Sequence, residues 1–155
     1  MAIRLNHIMA GCILLIIFSC ANRRMSKLKF NFSGFVYEHK FNNMPMLDKP
    51  SSKGSPFTTT LYIYEPTKTD QVQAGIVPGP MVSKINTKLV DSVKSDNKGA
   101  FSMYLQPGKY SVFIKYENGY YIPFYAGKDW LSIIEVKQNE FTTMDFDVRA
   151  FESVE

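Results

Sequence analysis

Residues 95–116 read SDNKGAFSMYLQPGKYSVFIKY, and this stretch decides the fold. Apolar and polar residues alternate over 101–105 and again over 110–116, which is the pattern of half-buried β-strands. A turn sequence precedes each of these segments: 95–99 ends in glycine, and 106–109 contains Pro-Gly. Because the Pro-Gly turn joins two alternating segments, it predicts a β-hairpin.

The same alternation recurs on both sides of this stretch. Further strands are predicted at 30–37, 58–65, 88–94, 134–136 and 144–149. No window of ten or more residues shows a convincing helical period of 3.6 residues. Alternation with one polar face is typical of antiparallel sheets, so we expect an all-β domain, an antiparallel β-sandwich of about seven strands. The long connections 38–57 and 66–87 are predicted to be loops.

The central stretch resembles the signature of the carboxypeptidase regulatory-like, transthyretin-like (prealbumin-like) β-sandwich family. That signature has an acidic turn closed by glycine, a strand led by Phe, a Pro-Gly turn, and a Tyr followed by alternating apolar residues. Gly34 and Val36 also resemble the Gly-x-Val pattern of the family's first strand. The resemblance implies a transthyretin-like sandwich; family members are commonly accessory or adhesive modules, and a fold does not specify a function. The matching positions in the central stretch are Asp96, Gly99, Phe101, Leu105, Pro107, Gly108, Tyr110, Val112 and Ile114.

The first twenty residues predict where the protein is located. Arg4 is followed by an apolar run at 13–18, which is too short to span a bilayer and is typical of a secretory signal. Residues 17–20, Ile-Phe-Ser-Cys, resemble a bacterial lipobox. The resemblance implies cleavage before Cys20 and attachment of lipid to that residue, and the acyl chains would hold the protein on the membrane.

Four segments follow from this interpretation. They are a lipoprotein signal peptide at 1–19, a lipidated basic tether at 20–29, the β-sandwich domain at 30–150 and a C-terminal tail at 151–155. Ala21 after the cysteine is compatible with sorting to the outer membrane, and the basic residues 23–24 argue against export to the cell surface. We therefore expect a lipid-anchored outer-membrane protein that faces the periplasm.

The net charge of +4 is concentrated near the predicted anchor. The basic residues Arg23, Arg24, Lys27 and Lys29 all precede the first acidic residue after Cys20. Such a stretch is attracted to anionic headgroups, or it is an ordinary solvated tether. The remaining basic residues alternate with acidic ones, which argues against nucleic-acid binding. With Cys12 in the signal peptide and Cys20 committed to lipid, no disulfide is expected.

Residue types that perform chemistry are sparse. His39 is the one histidine after the signal peptide, and it lies in the first predicted loop without the further ligands that zinc requires. Asp145 and Asp147 share one face of a predicted strand; they could bind calcium or act as acid and base, but a solvated strand face is the favoured interpretation. We expect a protein that is not an enzyme, with no catalytic residue, metal site or cofactor.

The segment 118–130 is dense in aromatic residues. The candidate binding residues are Tyr120, Tyr121, Phe124, Tyr125 and Trp130. If this segment fills the core, most of the rings should be buried; if it binds a ligand, at least two should be exposed together. The binding interpretation predicts docking of an envelope protein through this segment and the long loops, or by strand addition at a sheet edge. The alternative is a glycan stacked on the Tyr and Trp rings.

Overall fold

The computed structural model describes residues 30–39, 54–75 and 79–149. These residues form strands and one short 3-10 helix, Thr69–Gln71, with no α-helix among them. The strands are β1 Phe32–His39, β2 Ser55–Pro56, β3 Thr60–Tyr64, β4 Val72–Ala74, β5 Met81–Ile85, β6 Leu89–Lys94, β7 Ala100–Met103, β8 Gly108–Tyr116, β9 Gly119–Tyr121, β10 Tyr125–Ala126, β11 Trp130–Leu131, β12 Ile133–Val136, β13 Thr142–Thr143 and β14 Phe146–Arg149. The predicted signal peptide, the tether with Cys20 and the C-terminal tail lie outside the described residues.

Two sheets account for most of these strands. In the first sheet β1 is central, with β7 and β2 antiparallel on one side and β13 and β14 parallel on the other. The second sheet has the order β4-β5-β9-β8-β3-β6, and β12 pairs with the first half of β8 beside β9. Strands β10 and β11 form a separate ribbon. The prediction of an all-β domain with antiparallel sheets is confirmed, and the first sheet adds the parallel pairs of β1 with β13 and β14.

The two sheets enclose one main core. Phe101 lies at its centre, with its ring centroid 5.2 Å from that of Phe32 and 5.9 Å from that of Phe146. Close packing of this kind is the largest favourable contribution to folding. The buried core residues are Phe32, Val36, Leu61, Ile63, Phe101, Met103, Leu105, Val112, Ile114, Tyr121, Ile134, Val136, Phe146 and Val148.

The predicted hairpin at 106–109 is wrong. Strand β7 pairs with β1 in the first sheet, whereas β8 pairs with β3, β9 and β12 in the second. The Pro107-Gly108 turn therefore carries the chain from one sheet to the other, and the Tyr110 hydroxyl fixes it by donating to the Gln106 carbonyl oxygen at 2.8 Å. Alternation records which face of a strand is buried, and it carries no information about which strand lies alongside.

The first long connection predicted as a loop is shorter than expected. His39 ends β1 instead of lying in a loop, and β2 falls before Phe57. The second connection, 66–87, contains the 3-10 helix and strands β4 and β5. Residues 40–53 and 76–78 of these connections lie outside the described residues. Short strands with a register shift, as between Gln73 and Ala74, leave too little alternation to be recognised.

The turn at 95–99 connects β6 of the second sheet to β7 of the first. Its acidic residue closes it, because one carboxylate oxygen of Asp96 accepts the backbone N–H groups of Lys98 at 2.8 Å and Ala100 at 2.9 Å. Gly99 has φ +76, a conformation that favours glycine, and its carbonyl accepts the Val36 N–H at 2.8 Å. The turn is thereby joined to the middle of β1.

The start of β1 is fixed by the side chain of Asn31, which is buried. Its amide nitrogen donates to the Leu105 carbonyl at 2.8 Å, and its amide oxygen accepts the Leu105 N–H at 2.9 Å. Its backbone N–H donates to Met103 and its carbonyl accepts the Thr142 N–H. Asn31 thus joins its own segment to residues 103–105 and to Thr142, and it extends the pairing of β1 by one position.

Replacing Asn31 with Leu should lower the free energy of unfolding by about 1–3 kcal/mol, because both polar backbone groups of Leu105 would be buried without a partner. Urea denaturation of the lipid-free protein measures this loss. Asn97→Ala, at an exposed turn position, is the control and should change stability by less than about 0.5 kcal/mol. Equal stability of the two variants would show that the hydrogen bonds of the Asn31 amide do not stabilise the fold.

Gly34→Ala should destabilise the protein by about 3 kcal/mol or more, since a Cβ atom at this position would overlap the Met144 carbonyl. Strand β1 would have to separate from the chain leading to β14. Gly127→Ala is the matched control, because Gly127 has φ +67 but open space around it, so only backbone strain of about 1–2 kcal/mol applies. The two midpoints of urea unfolding give the comparison, and an equal loss in both variants would contradict the steric argument.

Candidate functional site

The outer face of the second sheet carries a smaller core of its own. Alternation places Tyr64 and Phe113 on the polar face of their strands, yet both are buried. The reason is that the segments after β3 and after β9 cross this face and cover its centre. The buried residues of this second core are Tyr64, Val82, Ile85, Phe113, Ile122 and Leu131. The polar face that alternation predicts for these strands is therefore covered at the centre of this sheet.

A buried polar network holds the covering segments in place. The Ser111 hydroxyl, on β8, accepts the Thr67 N–H at 2.9 Å and donates to the Leu131 carbonyl at 2.7 Å. Ser132 is fully buried with φ +46, and its hydroxyl donates to the Phe124 carbonyl at 2.9 Å. Buried polar groups that are all paired give a segment one defined position.

This network positions Trp130. The Leu131 N–H donates to the Thr67 carbonyl at 3.0 Å, and the Thr69 N–H donates to the Asp129 carbonyl at 2.9 Å. Residues 67–69 thus run alongside β11, with Lys68 directly opposite Trp130. The Lys68 ammonium group lies 4.8 Å from the centroid of the Trp130 ring, which is the geometry of a cation–π contact.

A cleft of about 210 Å³ opens beside the exposed Trp130 ring. Its lining is apolar except for one charged residue, Lys109 at the start of β8. In the described part of the chain, neither the Lys68 nor the Lys109 ammonium lies within salt-bridge distance of a carboxylate. The residues that line the cleft are Pro66, Lys109, Ala126, Trp130 and Ile133. We call this the Trp130 cleft.

The five aromatic candidates separate into three environments. Tyr121 lies in the main core and Phe124 packs against it, so neither ring forms part of a binding surface. Tyr120 is half-buried on the outer face. Tyr125 and Trp130 are exposed, but the ribbon register pairs Tyr125 with Leu131 and Trp130 with Ala126, which puts their side chains on opposite faces. The five candidates therefore do not provide the two rings exposed together that the binding interpretation predicted.

Tyr120 belongs to a tyrosine cluster that the sequence did not indicate. Its ring meets that of Tyr62 edge to face at 5.4 Å, and the Lys115 ammonium lies 5.2 Å from its centroid. Burial raises the pKa of the neighbouring Tyr64, and the Tyr120 hydroxyl adds to this effect. These residues come together because β3, β8 and β9 are adjacent in the second sheet, which alternation alone does not predict.

The charged residues singled out from the sequence lie at the first sheet, His39 and Asp147 in strands and Asp145 just before β14. His39 Nε2 is 3.0 Å from the Asp147 carboxylate, because the parallel register of β1 and β14 brings the two residues together. Asp145 accepts the Phe35 N–H at 2.9 Å. Both carboxylates are exposed, and each completes a surface contact between strands.

Two further features concern only the described ranges 30–39, 54–75 and 79–149. They contain no group of three or more His, Cys, Asp or Glu side chains placed to hold a metal ion. None of their residues forms a helix with the length and hydrophobicity that crossing a bilayer requires.

Comparison of the chain with models of protein families, with curated proteins and with solved structures found no match. The resemblance of residues 95–116 to the transthyretin-like family therefore stays a prediction, and the site is interpreted from its own geometry.

Ser111→Ala should loosen the Trp130 cleft, because the Thr67 N–H and the Leu131 carbonyl would both lose a buried partner. The expected loss of stability is about 1–3 kcal/mol. Trp130 is the only tryptophan in the chain, so its fluorescence reports directly on the ribbon and should shift toward that of a solvated indole. The exposed neighbour substitution Lys109→Ala should leave the stability almost unchanged. An unaltered spectrum in Ser111→Ala would show that the network does not position the ring.

Proposed function

We propose that this chain is a lipid-anchored binding module of the cell envelope that performs no catalysis. It is held on the outer membrane through Cys20, faces the periplasm and docks a protein partner at the Trp130 cleft. The observation that supports this proposal is an exposed tryptophan, fixed by a buried network, beside an apolar cleft and the ammonium groups of Lys68 and Lys109, neither of which forms a salt bridge with any carboxylate of the described residues.

The dimensions of the cleft favour one anchoring group over a free small molecule. Pockets that enclose drug-sized ligands measure about 300–1,000 Å³, and this cleft holds about 210 Å³. Protein interfaces commonly depend on a few aromatic residues that pack against a complementary group, with Trp among the most frequent. A single side chain of a partner fits the available space.

The charge around the cleft indicates what kind of group would enter. Lys68 covers the Trp130 ring, and Lys109 lines the cleft. A partner segment with an apolar side chain next to a carboxylate would fill the cleft with the apolar group. Its carboxylate would then pair with an ammonium group at the rim. Such rim charges mainly affect the association rate and the choice of partner.

The exposed edge strand β6 is a weaker docking element than the cleft. It pairs only with β3 among the described strands, and Leu89 and Val90 on it are exposed. However, the Ser92 N–H, which points away from β3, is already bound by the Asp91 carboxylate at 2.7 Å. A register shift opposite Ile63 and Tyr64 further disrupts this edge. Both features make it less favourable for another strand to pair with β6.

A glycan is the second candidate ligand. The Trp130 ring is exposed beside a cleft of small volume, and a sugar ring can stack on an exposed indole face of this kind. The opposite orientation of Tyr125 and Trp130 limits this interaction to one ring from the ribbon.

A photo-crosslinking amino acid at Ala126, in the cleft, should capture a defined envelope protein in intact cells of the bacterium that expresses this chain. The same crosslinker at Asn97, an exposed turn residue, is the control for random encounters. Trp130→Ala should abolish the adduct, and Lys68→Ala should weaken it, because the first removes the anchor and the second only a rim charge. Mass spectrometry identifies the adduct.

Protein adducts that are equally abundant from both positions would contradict the docking site. An adduct that resists proteases but is removed by glycan-degrading enzymes would support the second candidate instead. Cys20→Ser tests the anchor independently, since the protein should then leave the membrane fraction.

A further inference from the structure

One end of the sandwich is assembled from three separate segments, residues 30–31, 104–109 and 137–141. Strand β1 begins at this end, and the antiparallel β7 finishes beside it, as the pairing of Phe32 with Met103 shows. Strand β8 then starts here, and β12 ends here, because Val136 pairs with Gly108. We call this the entry end, since the chain enters the domain at it.

The entry end presents three large apolar side chains to the solvent. Phe30, Tyr104 and Phe141 are 39%, 47% and 59% exposed. The rings of Phe30 and Phe141 contact each other edge to face, with centroids 5.9 Å apart. Exposed aromatic residues scattered singly need no explanation, but a contacting pair at one tip of a domain, with a third exposed ring in an adjoining segment, indicates a surface that something covers.

The length of chain before the entry end identifies what is close to it. Phe30 is joined to Cys20 by the predicted tether, residues 20–29. A segment of that length spans at most about 36 Å when fully extended, and about 17 Å as a flexible chain. A lipid on Cys20 therefore keeps Phe30 near the bilayer surface, whichever way the domain turns.

The positive charge of the tether and of the entry end also favours contact with the bilayer surface. The tether contains Arg23, Arg24, Lys27 and Lys29 and no acidic residue. The entry end adds Lys109 and Lys137, and Glu140 lies 3.8 Å from the Lys137 ammonium. The excess of positive charge is attracted to anionic headgroups, and aromatic rings next to it suit the boundary between headgroups and acyl chains.

We propose that the entry end rests on the lipid bilayer, with Phe30 and Phe141 inserted among the headgroups. The proposal depends on the lipid anchor put forward above. The anchor makes the contact intramolecular, so a weak interfacial affinity is sufficient to keep the end in place at the high effective concentration that a short tether gives.

The contact would orient the whole domain. Strand β8 runs from Gly108 at the entry end to Tyr116 at the other end, a rise of about 27 Å. The turn at 95–99 would then lie away from the bilayer, because it follows Lys94, whose partner Thr60 lies next to the last residues of β8. The Trp130 cleft lies on the membrane-proximal half, since Lys109 contributes to its lining.

Depth-dependent quenching in vesicles tests this arrangement. The full chain is purified with its lipid, as the double variant F141W/W130F, and reconstituted into vesicles of phosphatidylethanolamine and phosphatidylglycerol that contain brominated lipids. The matched control is N97W/W130F, which places the single tryptophan at the far end. We expect a blue shift and strong loss of fluorescence for F141W, and unchanged emission for N97W.

The outcomes separate this proposal from the anchor. Intact mass shows whether Cys20 carries lipid, and a chain without lipid overturns the anchor together with the membrane contact. A lipidated chain in which F141W and N97W are quenched equally, or not at all, overturns the membrane contact and leaves the anchor standing. Phe30→Ser in the F141W/W130F background should reduce the quenching, because the neighbouring ring no longer inserts; unchanged quenching would count against the paired insertion.

Discussion

The pairing of β1 is the constraint on which the first sheet depends. Strands β2, β7, β13 and β14 all form hydrogen bonds with it, and none of the described strands closes that sheet without it. The Asn31 amide fixes where β1 begins relative to Leu105. Gly34 allows the Met144 carbonyl to approach its backbone. A shift by one residue would turn Phe32 and Val36 out of the core, so the position of this strand fixes the inner face of the first sheet.

The second sheet is covered on both faces, and this explains where the candidate site lies. Its inner face packs against the first sheet, while its outer face carries the second core under residues 65–71 and 122–131. Ser111 and Ser132 hold these segments by hydrogen bonds that leave Trp130 at the margin. An indole at the margin of a core is rigid on one side and accessible on the other, which suits an anchoring contact.

The two proposed surfaces meet at Lys109. This residue is the second of β8, at the entry end, and also lines the Trp130 cleft. If the entry end rests on the bilayer, a docked partner would bind close to the headgroups, where an envelope protein that is itself anchored could reach the cleft. The far end, with the turn around Asp96, would remain free of both contacts.

The sequence by itself determined the class of fold, the turn at Asp96 and Gly99, and the longer strands β1, β3, β6, β7, β8, β12 and β14, because alternation and turn chemistry are local properties. It also located the aromatic segment, without indicating which rings are exposed. Only the tertiary structure decided that the Pro107-Gly108 turn changes sheets, that Tyr121 is buried while Trp130 is exposed, and that His39 meets Asp147. These outcomes depend on which strands are neighbours, a property of residues distant in the chain that a pattern of period two does not encode.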